Sequence, residues 1–171
     1  MNLKKILVGI DGIKAKGEID REVTTIEKDS RKVVEGSMFF AIKGFTTDGT
    51  QYINSAIEKG AKTILVEETT DIRSLNIPED VTLIVVPDAR YAMAICACNF
   101  YDNPSKKVKL IGVTGTKGKT TTTFMIKEIL QKQGIKTGLV GTIAVYSGDK
   151  KLLDSDRTTP ESIELRQYFA Q

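Results

Sequence analysis

Ile111-Gly112-Val113-Thr114-Gly115-Thr116-Lys117-Gly118-Lys119-Thr120-Thr121 is the stretch on which the reading of this chain turns. An apolar run, residues 109–113, leads into it and predicts a strand. An amphipathic run leads out and predicts a helix over residues 119–133, with Phe124, Met125, Ile126, Ile129 and Leu130 as its apolar stripe and Gly134 ending it. Glycines between a strand and a helix let the backbone curl until successive N–H groups point inward, and the helix N-terminus adds partial positive charge. Such a loop receives a phosphate chain. Lys119 would reach the outer phosphates, and the Thr120 hydroxyl would ligate magnesium. A tight strand–turn–helix connection also uses glycines, but lysine followed by threonine at the helix start has no packing rationale. The spacing departs from the usual P-loop. Val113 stands where that pattern has glycine, and Gly112 and Gly115 give G-x-x-G-x-x-G-K-T-T instead.

Downstream, residues 137–145 read as a further strand softened by Gly138 and Gly141, and residues 147–157 as a charged hairpin. Arg157-Thr158-Thr159-Pro160-Glu161-Ser162 reads locally as a helix start, with Pro160 at the first helical position and acids in the first turn. From Val108 onward there are 64 residues, with two expected strands and one long helix. So few elements leave much apolar surface uncovered, so this unit is expected to be part of something larger or to lean on a partner. Upstream, residues 101–107 are polar, contain Asn103-Pro104 and mark a boundary. Before it, residues 38–42, 63–66 and 82–86 read as strands, and residues 52–59 and 89–101 as helices, with Gly60 placed to end the first. Strands alternating with helices predict an α/β fold with a largely parallel sheet. The expected domains are residues 1–105 and 106–171.

Hydrophobic residues make up 40 % of the 171, enough for a core. The net charge of +3 is unevenly spread: residues 1–107 carry −1 and residues 108–171 carry +4. The basic excess therefore surrounds the glycine-rich loop and suits a phosphate ligand better than a nucleic-acid groove. There is no tryptophan, and the basic residues are not interleaved with aromatics, so no nucleic-acid partner is expected. Cys96 and Cys98, two apart on an expected helix, point to nearly opposite sides; no disulfide joins them, and both read as small packing side chains. Without histidine, two cysteines cannot complete a four-ligand zinc site. The N-terminal apolar run is too short for a signal peptide, and no stretch approaches the roughly 20 apolar residues of a membrane span. A cytoplasmic monomer with no membrane partner is expected.

The loop resembles that of the Mur ligase superfamily, which typically reads G-x-T-G-T-N-G-K-T-T; Lys117 stands here where asparagine is usual. The resemblance implies that Gly115, Thr116, Lys117, Gly118, Lys119, Thr120 and Thr121 bind ATP, with Lys119 catalytic and Thr120 on Mg2+. The loop alone also fits folylpolyglutamate and cyanophycin synthetases. Two further segments narrow the choice. Lys28-Asp29-Ser30-Arg31-Lys32-Val33-Val34-Glu35-Gly36-Ser37-Met38-Phe39-Phe40-Ala41-Ile42-Lys43-Gly44, then Asp48-Gly49, Tyr52-Ile53, Ala56 and Gly60-Ala61, is very similar to the family's uridine-nucleotide-binding N-terminal domain. That similarity implies that Lys28 and Ser30 meet the UDP part of the substrate and that Phe45, Thr46 and Thr47 line the uracil side. Read alone, Asp29-Ser30-Arg31 is a solvated turn between strands. Arg157, Thr158 and Thr159 resemble the T-T-P motif of the branch acting on UDP-N-acetylmuramoyl-L-alanyl-D-glutamate, where the threonines contact the muramoyl dipeptide.

The resemblance runs through essentially the whole chain in family order. It implies a uridine-nucleotide-binding α/β domain followed by the first part of a P-loop central domain, the C-terminal domain being absent. The reaction implied is ATP-driven amide synthesis that adds a diamino acid, third in the peptide, through an acyl phosphate on the D-glutamate side chain. A carboxylate is a poor electrophile, so phosphorylation supplies the leaving group, and the protein positions reactants and neutralises charge. The family's other magnesium-binding Glu and His, its carbamylated lysine and the C-terminal domain that selects the diamino acid lie further along, so these 171 residues alone are not expected to be a competent ligase. Two other readings stay open: a non-catalytic module that holds the UDP-muramoyl precursor, and a paralogous Mur-type ligase with another substrate. The T-T-P segment speaks against the latter.

Overall fold

The computed structural model describes residues 1–44, 47–154 and 160–170; Phe45, Thr46, Arg157, Thr158 and Thr159, all expected to meet substrate, lie outside the described residues. The chain divides into two compact units, Met1–Asn103 and Pro104–Gln171.

The first unit runs α1 (Leu3–Ile6), β1 (Lys14–Lys16), β2 (Ile26–Glu27), β3 (Met38–Phe40), α2 (Ile53–Glu58), β4 (Thr63–Glu67), β5 (Thr82–Val86) and α3 (Ala89–Phe100). The sheet order is β1-β5-β4-β3-β2. Strands β2 to β5 are mutually parallel, and β1 closes the β5 edge antiparallel. The expected, largely parallel α/β sheet is therefore present. The central strands are continuous apolar runs because both of their faces are covered. Phe39, Ile64 and Leu83 align across one face and pack with Ile53 and Ala56 of α2. Phe40, Leu65 and Ile84 align on the other face, and α3, packed against β4 and β5, buries Ala92, Met93, Cys96 and Ala97. The expected helix over residues 52–59 is present as α2. A 3-10 turn, Gly49–Tyr52, comes first, and Gly60 at φ +101° ends the helix. Both cysteines are free; Cys96 is buried, and desolvation pushes its thiol up to about 12, which makes it inert.

The second unit contains α4 (Lys119–Lys132), β6 (Gly138–Val140), β7 (Ala144–Ser147), β8 (Lys150–Asp154) and α5 (Ser162–Phe169), with an antiparallel sheet in the order β6-β7-β8. Four expectations are corrected here. Residues 109–113 form no ladder, and Leu110 and Ile111 are exposed at 59 % and 62 %. An apolar run becomes a strand only with a neighbour to take its hydrogen bonds, and the described strands of this unit pair among themselves. The run 137–145 breaks at residues 141–143, so its two halves become the antiparallel neighbours β6 and β7. Pro160 precedes α5 rather than opening it: Glu161, extended at φ −74° and ψ 170°, takes the cap position, and Ser162 is the first helical residue.

The fourth correction concerns α4. Its expected stripe faces inward only in part: Phe124, Ile126 and Leu130 are half-buried, Met125 and Ile129 are 60 % and 63 % exposed, and Lys127, outside the stripe, is 5 % exposed. The inner face is Phe124, Lys127 and Gln131, spaced as one side of a helix. Phe124 meets the Tyr146 ring edge-on at 5.7 Å between centroids. The Lys127 ammonium is satisfied where it is buried: it donates to Gln131 Oε1 and lies 5.5 Å from the Tyr146 ring centroid and 3.8 Å from Asp149. A hairpin forms between β7 and β8, over residues 144–154, turning through Gly148 at φ +60° and Asp149; of the expected stretch 147–157, residues 155–157 lie outside the described residues.

Candidate functional site

The glycine-rich loop opens α4 through Gly118, whose φ of +78° is a left-handed conformation that a side chain resists. The Gly118 carbonyl accepts the Thr122 N–H at 2.9 Å, the first bond of the helix. No side chain caps this end, so the N–H groups of Gly118, Lys119, Thr120 and Thr121 are the orphan donors of a helix start. A Cβ at Gly118 would meet nothing within 4 Å, so the space beside this residue is open. Lys119 folds across the loop, its Nζ donating to the Gly115 carbonyl at 2.6 Å. An anionic oxygen makes a stronger, charge-assisted bond to that ammonium than a neutral carbonyl does. Thr120 lends its carbonyl to the Thr123 hydroxyl at 2.9 Å, and its own hydroxyl has no partner among the described residues.

Lys119 and Thr120 line a small cavity of about 60 Å³ together with Val113, Val140, Gly141 and Thr142. The β6–β7 turn therefore stands beside the loop, a neighbour that the sequence does not announce beyond Gly141 interrupting an apolar run. The residues fit a magnesium nucleotide. The helix-start amides and Lys119 would meet the phosphates of such a ligand, and the Thr120 hydroxyl its ion. Magnesium keeps several waters and phosphate oxygens beside one or two protein ligands, so a single threonine hydroxyl is an adequate protein contribution at this loop. Among the described residues no cluster of three or more His, Cys, Asp or Glu adds to it.

In the first unit, the parallel strands β2 to β5 end at one edge, where α/β folds commonly receive ligands. Lys28 and Ser30 follow the end of β2; Thr47 belongs to the loop that follows β3. Asp29 caps a 3-10 turn, Ser30–Lys32, by accepting the Arg31 N–H at 3.0 Å. The Arg31 guanidinium donates to both Asp29 oxygens, with Nη2 at 2.8 Å from Oδ2, and holds that carboxyl down at about 2 against an ordinary 3.8. Asp29 and Arg31 are thus spent on each other, while Ser30 is 9 % exposed and its hydroxyl has no partner among the described residues. The turn is a built one rather than the loose solvated connection that its three polar residues suggest.

The loop after β3 is closed at its base by Gly49 N–H to Ile42 O at 3.0 Å and, further out, by Gly44 N–H to Thr47 O at 2.9 Å. From the first turn of α3, Arg90 reaches the Lys43 carbonyl at 3.5 Å, and Glu67, ending β4, accepts the Ala89 N–H at 3.2 Å.

Residues 22–101 match the family described as Mur ligase family, catalytic domain, and residues 113–171 match the Mur ligase middle domain. Proteins named UDP-N-acetylmuramoyl-L-alanyl-D-glutamate--2,6-diaminopimelate ligase from Clostridium botulinum and Clostridium perfringens are 51 % and 48 % identical over 169 residues, which is 99 % of this chain and 34 % of each relative. The chain spans about a third of the length of the curated relatives it matches. A solved structure of a protein with that same name is similar at a TM-score of 0.68, with 24 % identity, over 99 % of this chain and 33 % of that one. A crystal structure of MurF from Acinetobacter baumannii is similar at a TM-score of 0.52, with 25 % identity, over 77 % of this chain and 26 % of that one.

Proposed function

The chain belongs to the Mur ligase family, and from that premise we propose that it carries the uridine-nucleotide site and the phosphate-binding loop of an ATP-dependent ligase that adds a diamino acid to UDP-N-acetylmuramoyl-L-alanyl-D-glutamate. The observation that carries this reading is the loop itself: a left-handed glycine, a helix start with no side-chain cap, and Lys119 and Thr120 side by side at one small cavity. The names of the relatives support the choice of substrate.

In this reading Lys119 holds the outer phosphates, Thr120 contributes its hydroxyl to Mg2+, and Gly115, Thr116, Lys117, Gly118 and Thr121 supply the surrounding donors and cations. Bound ATP supplies the phosphoryl group that turns the D-glutamate carboxylate into an acyl phosphate. The loop's own work is to hold and neutralise the phosphates, with its amides fixed in place before the ligand arrives. Lys28, Ser30 and Thr47, with Phe45 and Thr46, hold the UDP end, and Arg157, Thr158 and Thr159 the dipeptide end. Such a ligase works on a soluble precursor and is proposed to act as a cytoplasmic monomer; no described helix is long and apolar enough to cross a membrane.

Calorimetric titration of the polypeptide with UDP-N-acetylmuramoyl-L-alanyl-D-glutamate, with UDP alone as comparison, tests the reading. Precursor binding clearly tighter than UDP is expected. Absence of binding to either ligand would sink it.

A further inference from the structure

A three-residue 3-10 turn is not stable on its own terms. The turn Ser30–Lys32 has one backbone bond, Lys32 N–H to Asp29 O at 3.0 Å, and a cap from Asp29, both local. Among the described residues, one side chain from far along the sequence ties it down by a hydrogen bond: Lys59, at the C-cap of α2, donates from Nζ to the Ser30 carbonyl at 3.1 Å, across 29 residues. The main chain stitches the same two segments once more, through Gly36 N–H to Gly60 O at 2.8 Å, but six residues beyond Ser30. Lys59 therefore holds the carbonyl of the one residue in the turn whose hydroxyl is uncommitted.

We propose that Lys59, which lies outside every motif of the chain, is a positioning residue for the uridine-nucleotide site: its hydrogen bond to the Ser30 carbonyl fixes the turn that presents the Ser30 hydroxyl to the ligand. This rests on the reading above that Ser30 meets the UDP moiety. The geometry makes the division of labour specific. The carbonyl of Ser30 faces the α2 lysine, Asp29 and Arg31 satisfy each other, and the hydroxyl is left for the nucleotide. A carbonyl held by an ammonium is a stronger anchor than a neutral bond, and α2 ends where its own carbonyls favour a cation.

Lys59→Met keeps the aliphatic stem and removes the ammonium; Lys59→Arg restores a donor. Titration of the full polypeptide with UDP should show Kd raised about tenfold in Lys59→Met, largely recovered in Lys59→Arg, with the thermal midpoint moved by no more than about 2 °C. In a Ser30→Ala background, Lys59→Met should add little, because the two act as one unit. Lys59→Met binding UDP as tightly as the unaltered chain overturns the inference alone. So does an undiminished loss in the Ser30→Ala background, or a large fall in midpoint that Lys59→Arg does not repair. An unaltered chain that binds no UDP takes down the functional reading and this inference with it.

Discussion

Two side chains show how much depends on a single contact. Among the described residues Lys119 has one hydrogen-bond partner, the neutral carbonyl of Gly115, so exchanging it for a phosphate oxygen gains a charge-assisted bond. Lys119→Ala should weaken Mg-ATP binding by about 2–3 kcal/mol, roughly 30- to 160-fold, without altering the melting midpoint. Competition against a fluorescent ATP analogue measures this, and equal affinities would remove Lys119 from the site. Asp29 is the second. Its carboxyl sits near 2 in the folded chain against an ordinary 3.8, so its contribution is complete above the unfolded value and is lost as pH falls through the folded one. The turn should be indifferent to pH from neutrality down to about 4 and loosen between about 4 and 2. A carbon-13 titration of the Asp29 carboxyl reads the midpoint directly, and Arg31→Ala should return it toward 3.8. A midpoint already near 3.8 in the unaltered chain contradicts the pairing.

At the scale of elements, close approach decides more than propensity does. Gly49 begins its 3-10 turn with no unusual φ, yet a Cβ there would lie 2.5 Å from the Ile42 carbonyl oxygen. Gly49→Ala should therefore cost about 1–3 kcal/mol in urea unfolding and weaken UDP binding in step, because the loop that carries Thr47 must open at its base. Unchanged stability would mean that the loop yields without strain. The α4 helix illustrates the opposite limit of legibility. Its length and its glycine ends are written in the sequence, but which side faces inward is not. Phe124, Met125, Ile126, Ile129 and Leu130 spread too widely around the helix to single out one side, and Lys127 is accepted inside only because Gln131, Asp149 and Tyr146 converge on it from i+4 and from the β7–β8 hairpin. Residues 109–113 are alike: their apolar character is local, whereas a ladder partner is not.

At the scale of the whole chain, each candidate nucleotide site is built within one compact unit. UDP should accordingly slow amide hydrogen exchange within Met1–Asn103, and Mg-ATP within Pro104–Gln171. Exchange mass spectrometry separates the two, and protection by UDP confined to residues 104–171 would reverse the assignment. The sequence by itself determined the α/β class with its largely parallel sheet, the glycine–lysine–threonine loop at a helix start and the absence of a disulfide between the two cysteines, because each is legible in local pattern: periodicity, turn chemistry, capping. Only the tertiary structure decided that the Ser30 turn hangs on Lys59, that Gly141 and Thr142 stand beside Lys119, that residues 109–113 find no ladder among the described residues, and that a lysine rather than an isoleucine is the buried residue of α4. Those outcomes depend on groups brought together from 22 to 29 residues apart, and side-chain reach, hydrogen-bond satisfaction and desolvation at such separations are settled by packing, not by pattern.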